Sequence, residues 1–154
     1  MQKEISIKQV QLDAEEIYSS GKLQCAEAIV HSIIKNVDPN MPEEMIYAAS
    51  GFSIGVGKAR CMCSAVSAAV LCLGYFFGRT FPTTITDPHS LKTIELAYEL
   101  QEDFKKKNKV LCCHTLRKEA KDGALSEKCI GMLGSTAAKT AEIIARELNL
   151  KVVA

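Results

Sequence analysis

The stretch Ser50–Arg79, SGFSIGVGKARCMCSAVSAAVLCLGYFFGR, divides into a glycine-punctuated loop and the longest apolar run in the chain. Gly51, Gly55 and Gly57 let the backbone turn where a side chain would clash, and behind them Cys61 and Cys63 open a segment with no charge until Arg79. The eighteen uncharged residues from Cys61 to Gly78 reach the lower edge of a membrane-crossing length, and an arginine at each end would suit such a helix. Ser64, Ser67 and Gly74 argue against it, as do amphipathic segments elsewhere whose apolar faces need a common partner. A wholly buried central helix over about 61–77 satisfies both, because Ala65, Ala68 and Ala69 favour helix and the run exceeds ordinary strand length. Two thiols then lie at a loop-to-helix junction.

Working outward, the flanking segments read as helices that cover this one. Val10, Leu12, Ala14, Ile17 and Tyr18 predict a helix from about Ile7 to Ser20, stopped at Ser19-Ser20-Gly21. Apolar positions 23, 26, 30, 33, 34 and 37 draw one stripe along a second, ended by Asp38-Pro39. Met41-Pro42-Glu43-Glu44 opens a short helix that reaches about Ser50. Beyond the central run, Gly78–Thr86 is a surface connection and Asp87-Pro88 caps a long helix to about Lys107. Its spacing rests on Leu91, Ile94, Leu96 or Ala97, Tyr98, Leu100 or Gln101, and Phe104. Val110–Gly123 holds Leu111-Cys112-Cys113-His114 and a short polar helix with Gly123 as its C-cap. Ser126 caps the last helix, which runs to about Leu148 and which Gly131 and Gly134 could interrupt early. No strand pattern competes, and there is no repeat or linker. The expected architecture is all-α, a single-domain helical bundle over residues 1–154.

Composition narrows the function classes. A chain of 154 residues, 47% hydrophobic and 24% charged, fits one globular core. Nineteen basic against eighteen acidic side chains leave a net charge of +1, so nothing electrostatic argues for nucleic acid or an anionic membrane. Seven cysteines make an awkward disulfide framework, and MQKEISIKQV places charges where a signal peptide needs an apolar stretch. The expected compartment is the reducing cytoplasm, where clustered cysteines point to metal, catalysis or redox sensing rather than to bridges. The competing reading is that cysteine serves as a small core hydrophobe.

Cys25, Cys63, Cys113 and Cys129 each fall within about a turn of a predicted helix start, where unpaired N–H groups and the positive end of the dipole favour thiolate. Four such ends converging on one spot would make a cationic pocket for a thiolate cluster. Spacing does not identify the occupant: C-x-C at 61–63 and the adjacent pair 112–113 match neither the zinc C-x-x-C pattern nor a ferredoxin run. Cys72, in the middle of the central helix, reads as core, whereas Cys61 and Cys112 lie near enough to resolve a disulfide or replace a ligand. His114 reads as a surface histidine, His31 and His89 have weaker claims, and Lys58 and Arg60 read as solvated charges beside the loop.

The order GKLQCAEAIV, GFSIGVGKARCMCSAVSAAVLCLGYFFGR, CCHTLRKE and KCIGMLGSTAAKTAEIIAREL resembles the C_GCAxxG_C_C family from about Ala14 to Leu148. The resemblance implies redox activity and, by position, singles out Cys25, Cys63, Cys113 and Cys129 as the site. Within Cys63–Ala68, Ser64 and Ala68 stand where that family has its two glycines. The family is related to the C-terminal part of split-Soret cytochromes, but with no Cys-x-x-Cys-His in this chain a c-type haem is not expected. The leading expectation is that the four cysteines bind an iron–sulfur cluster or another thiophilic metal, in electron transfer with a redox partner. A thiol/disulfide or persulfide enzyme without metal, and a non-catalytic helical binding module, stand as alternatives. No membrane insertion is expected, and a homodimer through the apolar central helix is open.

Overall fold

The computed structural model describes residues 1–117 and 126–154, and helices account for most of them. A three-residue strand, β1 (Glu4–Ser6), leads into α1 (Ile7–Ser19), whose first turn is capped by the Ser6 hydroxyl accepting from Gln9 N at 3.1 Å. Val10, Ala14 and Tyr18 form the buried face of α1, whereas Leu12, also in the predicted apolar pattern, is exposed. Helix α2 (Cys25–Asn36) lies beside it, burying Ala26, Ile29, Val30 and Ile33. Asp13, also buried, ties the two together: it accepts from Gln9 Nε2 at 3.0 Å and Asn36 Nδ2 at 2.9 Å and pairs with Lys35 at 3.2 Å.

After α3 (Glu44–Ala48), a 3₁₀ turn over Ser50–Phe52 and the short α4 (Ser53–Val56), the chain enters α5 (Ser64–Phe77). This is the predicted central helix, but it is not wholly buried: Tyr75 is exposed and Val70, Leu71, Phe76 and Phe77 are half-buried, because its partners cover one side only. It packs on α2, on α6 (Pro88–Asn108) and on α8 (Glu127–Leu148), and Ala65, Ala68, Ala69, Cys72 and Leu73 are buried along it. Full burial of a side chain such as Leu73 contributes about 2–3 kcal/mol. The helix starts at Ser64 rather than at 61, because residues 60–63 are pulled into pairing with a distant segment described below.

Helix α6 has the expected N-cap, with Asp87 Oδ1 accepting from His89 N at 2.9 Å and Ser90 N at 3.4 Å. Its buried face differs from the predicted one: Leu96, Leu100 and Phe104 face inward, while Leu91, Ile94 and Tyr98 are exposed. The helix carries two apolar stripes, and contact with α5 and α8 selects one of them. In α8 the Ser126 hydroxyl accepts from Cys129 N at 3.4 Å, and the helix continues through Gly131 and Gly134 without a break.

Strand pairing is the one element absent from the sequence reading. Asn149, in the left-handed conformation, ends α8, and β2 (Lys151–Val153) pairs in parallel with β1, Ile5 opposite Val152. Three-residue strands are too short to show a period. Helix α7 is Cys113–Leu116, and the C-cap predicted at Gly123 lies outside the described residues. Among the described residues no helix is long and apolar enough to cross a membrane.

Candidate functional site

The site is built on the glycine loop. Ile54, Gly55, Val56, Gly57, Lys58 and Arg60 all have positive φ, so the chain makes a left-handed turn that costs each non-glycine residue about 1–2 kcal/mol. Hydrogen bonds from Gly57 N to Gly51 O (3.0 Å), Arg60 N to Ile54 O (3.2 Å) and Cys61 N to Gly55 O (3.0 Å) hold it. Gly55 is required by more than its φ: a Cβ there would lie 2.6 Å from both Arg60 Cα and Cys61 N. The turn delivers residues 61–63 alongside the entry to α7, paired antiparallel through a single bridge. Cys63 N donates to Leu111 O (2.8 Å), Cys113 N to Cys61 O (2.5 Å) and His114 N to Arg60 O (3.0 Å), with Met62 opposite Cys112. Cys61 and Cys113 are thereby neighbours, and Cys63 and Cys113, fifty residues apart in sequence, line the same pocket.

All four predicted cysteines line one pocket, and each stands at a helix start. Cys25 is the first residue of α2, Cys63 the N-cap of α5, Cys113 the first residue of α7 and Cys129 the third of α8. Tyr18, Ile54, Ser64, Arg117, Met132 and Leu133 are also in the wall. The cavity measures about 30 Å³, room for a water or a single ion. Cys25 Sγ and Ser64 Oγ are hydrogen-bonded at 2.8 Å. Val66, Phe104, Leu116 and Met132 form a small apolar cluster behind Cys63 and Cys129.

The electrostatics reverse one expectation. Helix starts were expected to favour thiolate, yet burial pushes the Cys63 thiol up to about 12, against the lowering effect of the Ala65 and Val66 amides, and charge on Cys25 or Cys129 would raise it further. Burial likewise raises Cys113 and Cys129, with Arg117 opposing in each case. The Tyr18 phenol is pushed up to about 12, first by burial and then by Cys25 and Cys129. Desolvation outweighs the helix ends because the pocket is closed off and α7 is only four residues long. In the metal-free protein these thiols are therefore neutral near pH 7.

Four sulfur donors with no carboxylate among the pocket's described lining fit a soft, thiophilic group in kind. Among the described residues no set of three or more His, Cys, Asp or Glu side chains is arranged to hold a metal ion, so the donors share a pocket without standing at coordinating positions.

The remaining thiols separate by environment. Cys72 is fully buried, a core residue as read from the sequence. Cys61 is exposed and Cys112 half-buried, and the Thr115 amide and hydroxyl, with the His114 amide, hold the Cys112 thiol below its ordinary range. His114, His89 and Lys58 are exposed, and none of them, nor His31, lines the pocket. Sequence reading missed Tyr18, Ser64 and Arg117 as pocket residues. Arg117 had a signal, four residues after Cys113; Tyr18 had none, since its place depends on how α1 packs against α8.

Comparison with protein-family models matches residues 23–143 to the family described as "Putative redox-active protein (C_GCAxxG_C_C)", a span that contains all four pocket cysteines. No curated protein and no solved structure matches the chain.

Proposed function

This chain belongs to the C_GCAxxG_C_C family, and on that premise we propose that it is a small redox protein in which Cys25, Cys63, Cys113 and Cys129 hold an iron–sulfur cluster or another thiophilic metal for electron transfer. The observation that carries this reading is the convergence of thiols from four separate helix starts on one pocket. Their protonation supports it as well. Burial disfavours the charged forms of Cys63, Cys113 and Cys129, and a bound cation would supply the positive charge that converts them together to thiolates. A bound metal centre would provide the one-electron chemistry.

The chain's own residues provide the rest. Ser64 fixes Cys25 through its hydroxyl, Arg117 offsets negative charge at Cys113 and Cys129, and Leu116, Met132 and Leu133 restrict water. A cytoplasmic location and a separate redox partner belong to the same proposal.

Anaerobic purification followed by iron, sulfide and zinc analysis tests it. Stoichiometric metal that disappears when any one of the four cysteines becomes serine is the expected result. Protein that stays metal-free after anaerobic reconstitution, with all four thiols reduced, rejects it. A metal-free thiol/disulfide enzyme is the second reading, favoured by the exposed Cys61 and by the lowered Cys112 thiol next to Cys113 in sequence.

A further inference from the structure

Cys61 and Cys112 lie outside the four-thiol set, and the short ladder distinguishes them. Met62 faces Cys112, with the Cys63 N–Leu111 O and Cys113 N–Cys61 O bonds on either side. That pattern makes 62/112 a non-hydrogen-bonded pair and places Cys61 directly opposite Cys113. Cys113 opens α7 and lines the pocket with Cys63, while Cys61, joined to it by the Cys113 N–Cys61 O bond, is exposed. Directly opposed residues in such a ladder have Cα atoms about 4.5–5.5 Å apart, within the ~4.4–6.8 Å that a disulfide spans. Cys113 is only 4% exposed, whereas Cys61 is open to solvent and its thiol makes only a long contact to Ala59 O at 3.8 Å. The pair therefore connects solvent to the pocket.

We propose that Cys61 and Cys113 form a dithiol couple that reduces a small external disulfide reaching the exposed Cys61. Cys61, its proton lost to solvent, attacks one sulfur of the external disulfide; that S–S bond breaks, and the departing thiolate takes up a proton. Cys113 then attacks the Cys61 sulfur of the mixed disulfide, gives its proton to solvent and expels the second external thiol. Two protein thiols are oxidised to one disulfide, and one external disulfide is reduced to two thiols. The couple deepens the redox reading above: if Cys113 is also a ligand, oxidation withdraws it from the four-thiol set.

The test uses the full-length, metal-free protein, reduced, freed of reductant and treated with oxidised glutathione. After alkylation, tryptic peptides are mapped without reduction. Cleavage at Arg60, Arg79, Lys109 and Arg117 isolates CMCSAVSAAVLCLGYFFGR and VLCCHTLR, and fragmentation assigns the linked sulfurs. A Cys61–Cys113 link with release of two glutathiones per chain is expected; in Cys113→Ser, glutathione should instead accumulate on Cys61. A link between other cysteines, or glutathione retained on Cys61 in the unaltered chain, overturns the proposal. Should Cys113→Ser fail to fold, Cys61→Ser serves in its place: the link must vanish, and a Cys112–Cys113 or Cys63–Cys113 link of equal yield would refute the pairing. Because no metal is present, failure here leaves the metal reading standing, and a metal-free native protein leaves the couple standing.

Discussion

Replacing Gly55 by alanine should damage both the fold and the pocket, and Gly57→Ala is the control that isolates the cause. Both glycines have φ near +60°, but nothing lies within 4 Å of a Cβ built on Gly57, while one built on Gly55 meets Arg60 Cα and Cys61 N at 2.6 Å. Alanine in the left-handed region costs about 1–2 kcal/mol, offset by roughly 0.4–1 kcal/mol through restriction of the unfolded chain. Gly57→Ala should therefore lose about 1 kcal/mol. Gly55→Ala must also push the Arg60–Cys61 backbone away, disrupting the Cys61 N–Gly55 O and Arg60 N–Ile54 O bonds. Each is worth about 1 kcal/mol, which brings the loss to about 3 kcal/mol. Urea unfolding at constant m measures both variants, and alkylation of Cys63 and Cys113 should accelerate only in Gly55→Ala. Destabilisation of the two variants within about 0.5 kcal/mol of each other would refute the claim that close backbone approach at Gly55 positions the thiols.

Three further outcomes follow from individual contacts. Ser64→Ala removes the 2.8 Å contact to Cys25 Sγ and should cost about 1 kcal/mol in urea unfolding; an unchanged midpoint would show that the contact carries no net energy. Cys72→Ser buries a hydroxyl in the apolar core and should cost about 1–3 kcal/mol while pocket alkylation rates stay constant, so altered pocket reactivity would contradict a purely structural role. Cys63 and Cys72 are raised from an ordinary value near 9 to about 12, so the unfolded chain releases their protons first as pH rises. Stability should be level below pH 9 and fall between about 9 and 12, with a shallower decline in Cys63→Ala; a thermal-unfolding series rising over that interval would reverse the sign.

The helices were legible because their signals are local. The Ala65, Ala68 and Ala69 pattern, the Asp87-Pro88 cap and Ser126 before Glu127 each act within a turn or two, and α5, α6 and α8 begin within about three residues of where those signals place them. Where a segment carried two choices, as with the two apolar stripes of α6, only its neighbours decided. The four thiols could be read as standing near helix starts, but their shared pocket could not be derived from spacing, because it depends on the docking of residues 60–63 against 111–114.

By itself, then, the sequence determined the helical bundle, the central helix and the nomination of Cys25, Cys63, Cys113 and Cys129. Tertiary structure decided three things beyond it. The thiols meet because a left-handed turn, anchored where Gly55 admits the Arg60–Cys61 backbone, feeds residues 61–63 across the start of α7. Cys63, Cys113 and Cys129 are held neutral rather than ionised, because enclosure by Tyr18, Met132 and Leu133 costs a charge more than the helix ends repay. Cys61 stands opposite Cys113 rather than Cys112, because register between distant segments is set by pairing across the fold and not by position along the chain.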